Sequence, residues 1–170
     1  FQGMLLAGYL YAHLITRHLR QGIALAVHAA VMAAAPLWLP LGIAAGFDTP
    51  PQAGLPLWLL ALLAASIGMP FFAVAANAPL LQAWFARTGH PHGGDPYFLY
   101  GASNIGSLFA LLSYPVLAEP LLTLTDQAWL WTTLYVVLGL AVVGCGLFVP
   151  FAAGLKSNLA TVLPEATGSM

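Results

Sequence analysis

Apolar residues run along this chain in five long blocks, roughly 1–16, 22–45, 55–86, 96–118 and 127–155, and every Asp, Glu, Lys and Arg falls outside them. About twenty apolar residues make a helix able to cross a hydrocarbon core ~30 Å thick, and in lipid a helix satisfies its own backbone polar groups. The pattern therefore predicts an all-α, polytopic membrane protein with about five transmembrane segments. The first block is too short for a full span and opens at Phe1 without a charged leader, so it reads as truncated, with its outer part missing. The third and fifth exceed one crossing and are expected to tilt, kink or run on into the interface. Pro70, Pro79 and Pro115 mark the expected kinks, because each removes a backbone donor and frees a carbonyl one turn back.

The positions of the few charges orient these spans. Arg17 and Arg20 follow the first block, Arg87 the third and Lys156 the fifth, while the loops at 46–55 and 119–126 hold Asp48, Glu119 and Asp126 and no basic residue. Basic residues concentrate in cytoplasmic loops, so the Arg17, Arg87 and Lys156 side is expected to be cytoplasmic, with 156–170 a cytoplasmic tail. The closing residues from Ala166 read equally as an appended tail or as a natural linker. Trp38, Trp58, Trp84, Trp129 and Trp131 sit near block ends, where amphipathic rings anchor a helix at the headgroups.

Composition narrows the function classes. The chain has 170 residues, 61% hydrophobic and 5% charged, with a mean hydropathy of +0.88 and a net charge of −1. So few charges cannot keep a water-exposed surface soluble, and four basic residues cannot make a nucleic-acid surface, which takes clustered Lys and Arg. Cys145, the single cysteine, lies in an apolar run, excludes an intrachain disulfide and reads as a small buried hydrophobe. No nucleophile–base pair, phosphate loop or pair of intramembrane carboxylates occurs, so no catalytic residue is assigned. Mid-membrane Asp, Glu, Lys or Arg is also absent, which argues against a self-contained proton-driven transporter.

The fourth block carries the most informative departures from apolarity. Tyr100, Ser103, Asn104, Ser107 and Ser113 interrupt Tyr97 to Ala118, and polar groups in lipid need partners. The block is therefore expected to be an interior helix. Ala102 with Gly106, and Ser103 with Ser107, are small residues four apart, the spacing that lets a neighbouring backbone approach. Gly139, Gly144 and Gly146 in the fifth block, with Gly3 and Gly8 in the first, offer complementary surfaces. Asn104, with Asn77 and Gln82 of the third block, has two readings: interhelical hydrogen bonding, or lining of a polar cavity.

Histidines supply the other candidate chemistry. His13 and His28 lie at similar depth on adjacent antiparallel segments, the placement that a bis-His haem requires, although Tyr9, one turn before His13, offers an ordinary hydrogen-bond partner. His90 and His92 near Asp95 make a second candidate, for a weak metal site, in a segment that reads equally as a solvated Gly-rich loop. Gly93-Gly94 follows no strand and is not a dinucleotide fingerprint.

Three stretches carry a resemblance: FQGMLLAGYLYAHL at 1–14, PFFAVAANAPLLQAWFA at 70–86, and DPYFLYGASNIGSLFALLSYPVLAEPLLTLTDQAWLW at 95–131. In order and spacing they resemble the membrane region of bacterial membrane-bound spermidine synthase-like proteins, which join a transporter-like helical region to a cytoplasmic aminopropyltransferase-like domain. The resemblance implies a bacterial inner-membrane module, non-catalytic in itself, beside a cytoplasmic synthase-like domain. It does not imply that this polypeptide makes spermidine, since the chain has neither the Gly-rich nucleotide turn nor the acidic residues of such a domain. One expectation is a module binding or passing a small polar or cationic molecule through a cavity lined by Asn77, Gln82, Tyr100 and Asn104. The other is an accessory subunit that packs through Ala102, Ser103, Gly106 and Ser107 against other membrane subunits or helices.

Overall fold

A computed structural model describes residues 1–88, 90, 93 and 97–162, with side chains as far as residue 148. The helices are α1 (Gln2–His18), α2 (Gln21–Ala34), α3 (Leu55–Ala86), α4 (Tyr97–Ser113), α5 (Glu119–Leu121) and α6 (Leu124–Val162). No strand occurs among the described residues. Four stretches, Gln21–Trp38, Leu55–Ala86, Tyr97–Leu121 and Leu124–Phe148, are long and apolar enough to cross a membrane, and α1 falls just short at 17 residues. The chain is a helical membrane protein.

Two proline effects set the helix ends. The second block was expected to stay apolar and helical to about residue 45, but α2 tightens into a 3-10 turn at Ala35–Trp38 and stops. Leu39, which precedes Pro40, is extended at φ −111° and ψ 149°, because a following proline disfavours the helical region. A non-helical connection then runs to Gly54, whose φ of +77° admits glycine readily as it caps α3. Ala44 N donates to Ser66 Oγ at 3.0 Å and pins that connection to α3. Pro115 sits in a widened π turn, Tyr114–Ala118, between α4 and α5, as expected where a proline cannot supply its backbone donor. Pro70 and Pro79 are instead carried inside α3 without ending it.

Packing along α1 and α3 is parallel. Phe1 meets Phe71, Met4 meets Gly68, Gly8 meets Ala75 and Ala76, and Arg87 Nη2 donates to Thr16 O at 2.6 Å. The last contact brings the ends of both helices, and with them Arg17 and Arg87, to one end of the bundle. Helix α2 returns alongside α3 and runs antiparallel to α6, with Leu25 against Gly146 and Met32 against Gly139. A Cβ added to Gly8 would lie 3.0 Å from Ala75 Cβ, which is why a glycine stands where two helices approach so closely. Ala12, Ala24, Ala73 and Ala76 continue the theme, and Ile15, Leu25, Leu80, Trp84 and Val142 fill the space between.

Several positions depart from expectation. Trp84 is no interfacial anchor: it is the largest fully buried side chain, lodged in the core beside Gly146. Cys145 is exposed, because its neighbour Gly146 takes the inward face. The largest difference concerns α4, none of whose residues is buried. The expected interior helix stands away from the α1–α2–α3–α6 core, joined to the π turn that follows it and only sparsely in contact with α3. Its polar and small residues announce a need for partners, but periodicity alone does not say which surface supplies them.

Candidate functional site

The separation of α4 from α3 leaves an open cleft of about 620 Å³. On α4, Tyr100, Ser103, Asn104 and Ser107 line it; their spacing puts them on one helix face. On α3, Asn77, Ala78, Leu81 and Gln82 face them, joined by Pro79, while Tyr9 of α1 and Leu138 of α6 close the sides. All four residues expected to line a polar cavity, Asn77, Gln82, Tyr100 and Asn104, are thus brought to one wall-to-wall space. The volume lies within the range of small-molecule sites, which combine apolar walls with a few placed polar groups.

The polar groups differ in how they are held. Ser107 Oγ bonds back to Ser103 O at 3.0 Å within its own helix. Gln82, Tyr100 and Asn104 have no hydrogen-bond partner among the described residues. Asn77, only 5% exposed, is fixed from behind: its Oδ1 lies 2.7 Å from Nε2 of His28, and its Nδ2 lies 3.9 Å from Met32 Sδ. His28 is fully buried, and Tyr135 donates to Met32 O at 3.0 Å. The Tyr11 ring is 5.9 Å from the His28 ring, and both Tyr11 Oη and His28 Nδ1 are buried without a partner. A polar node therefore lies behind the cleft, and Asn77 belongs to both.

No known protein family, curated protein or solved structure matches this chain.

The histidine pair does not assemble as a haem site would require. His13 is exposed, while His28 is enclosed with its Nε2 engaged by Asn77, and neither lines the cleft. Similar depth on neighbouring helices did not mean a shared face. His92 and Asp95 of the second histidine cluster lie outside the described residues; His90 packs its ring 5.5 Å from that of Phe85. Among the described residues no group of three His, Cys, Asp or Glu side chains is placed to hold a metal.

The small-residue pairs divide between two surroundings. Ser103 and Ser107 line the cleft, but Ala102 is exposed and a Cβ at Gly106 would meet nothing within 4 Å, so no helix of the described chain packs there. Gly8 and Gly146 pack tightly, yet against α3 and α2 rather than α4; Gly3 and Gly144 have nothing within that radius. The His28–Asn77 bond is the feature behind the cleft that the sequence does not announce as a pair. Its sequence signal is that each residue interrupts an apolar block; the structure adds that both are buried polar side chains of the described core.

Proposed function

We propose that this chain is a non-catalytic membrane module whose α3–α4 cleft binds or passes a small polar molecule, of the kind suggested by its resemblance to the membrane region of spermidine synthase-like proteins. The observation that supports this most is the convergence of Asn77, Gln82, Tyr100 and Asn104 on one open space of about 620 Å³. Amide and hydroxyl oxygens accept from ammonium or hydroxyl donors, and the aromatic faces of Tyr9 and Tyr100 suit a cation. Spermidine is the first probe. On this reading the protein sits in a bacterial inner membrane with the C-terminal end of α6 on the cytoplasmic side, beside a synthase-like partner domain.

The test is binding of spermidine to the protein in lipid nanodiscs by calorimetry. Tyr100→Leu and Asn104→Leu lie on an exposed helix face and remove polar groups without disturbing the core; each is expected to weaken binding about tenfold, equivalent to about 1.4 kcal/mol. Affinity unchanged in both variants sinks the proposal.

A second reading has its own support, namely that no α4 residue is buried. There α4 packs, through Ala102 and Gly106, against another membrane subunit, and the chain is an accessory component. Native mass spectrometry of gently extracted protein separates the two, since a stable larger assembly lost on Gly106→Val favours the accessory role.

A further inference from the structure

Asn77 differs from the other polar groups of the cleft because a buried side chain holds it from the side opposite the cleft. The direction of that bond follows from its neighbours. Met32 Sδ, 3.9 Å from the amide nitrogen, is an acceptor only, so it takes Asn77 Nδ2–H and turns Oδ1 toward His28. Oδ1 can only accept, so His28 Nε2 carries the proton across the 2.7 Å contact. Reversing the amide would set Oδ1 against the sulfur, acceptor against acceptor, and give up the contact with Met32. His28 Nδ1 is then left with a lone pair, and Tyr11 brings a hydroxyl without a partner to the same enclosure.

We propose that His28 is a positioning residue for the cleft: through Nε2–H it fixes the orientation of the Asn77 carboxamide, the one polar group of the α3 wall that is set before any ligand arrives. The inference rests on the reading of the cleft as a binding site. A pre-set group loses little conformational freedom on binding, whereas Gln82, Tyr100 and Asn104 must each be ordered by the ligand. Asn77 is thereby the fixed point against which a ligand orders the unpartnered Tyr100 and Asn104 of α4. Substitution of His28 reaches the cleft without touching it, since His28 itself does not line that space.

The experiment reads the side chains directly by nitrogen NMR on labelled protein in nanodiscs, first without ligand. His28 is expected in the Nε2–H tautomer with Nδ1 bare; an Nδ1–H tautomer overturns the proposal and requires no variant. His28→Leu is expected to shift or broaden the Asn77 side-chain amide signals, and His28→Gln, which keeps a donor, to restore them. Unmoved Asn77 signals in a folded His28→Leu protein also overturn it. Spermidine titration adds the functional arm: about fivefold weaker binding for His28→Leu, and within about twofold of the parent for His28→Gln. Equal weakening in the two variants means His28 does not act through its donor. Absence of spermidine binding in the parent counts against the cleft reading instead, and the tautomer and amide signals still decide the role of His28.

Discussion

Glycine 146 shows how much a single hydrogen atom in place of a methyl group can decide. A Cβ there would overlap a methyl group of Leu25 and come within 3.1 Å of the Trp84 ring, and both neighbours are locked in the core. Gly146→Val should therefore destabilise the bundle by about 1–3 kcal/mol, measured as earlier unfolding in an SDS titration. Gly106→Val is the control: nothing stands within 4 Å of its Cβ, so stability of the isolated chain should stay within about 0.5 kcal/mol. Both glycines lie in apolar runs and look alike in sequence. Spacing identified them as small-residue surfaces, but it carries no information on whether a partner helix faces them. The same limit explains the histidines. His28 was visible as a polar interruption, and its true partner Asn77 was visible as another, yet the pairing depends on which faces α2 and α3 turn to each other.

At the scale of elements, length and charge-free composition were enough to place four spans, since lipid removes the alternatives to helix. Their ends were less legible. The halt of α2 near Pro40 depends on local backbone sterics, whereas hydropathy continues apolar through Leu41 and Ile43. The start of α6 has a clear local cause: Thr123 Oγ1 accepts from Asp126 N at 3.2 Å, and Asp126 Oδ2 accepts from Thr123 N at 3.2 Å and from Thr123 Oγ1 at 2.6 Å. This reciprocal pair is a capping box. Beside it, Gln127 accepts from the Tyr114 hydroxyl at 3.1 Å and donates to Leu122 O at 3.2 Å, tying the π turn to the new helix. Thr123→Ala should cost about 1 kcal/mol and appear as faster hydrogen exchange over the first turn of α6, with α3 unaffected. Uniform exchange across both helices would refute a local cap.

For the whole molecule, the bundle has a defined handedness of neighbours: α1 beside α3 in parallel, and α2 against α6 in antiparallel. With Cys145 first replaced by Ala, cysteines introduced at Leu25 and Gly146 should cross-link under mild oxidation, while a Leu25 and Gly106 pair should not. A link in the second pair would show that α4 covers the α2 face. The four cavity residues converge because α3 and α4 follow one another and present matching faces, so that part of the site was readable from two consecutive segments. The buried node was not, because it joins α1, α2, α3 and α6 across long separations. That separation also sets an order of events in synthesis. The face of α2 that carries Leu25 and Met32 is covered by Gly146, Gly139 and Tyr135, residues made more than a hundred positions later. Until α6 enters the bilayer, α2 stands as an unclosed seam, and α4 must be inserted and set aside before the chain can seal it.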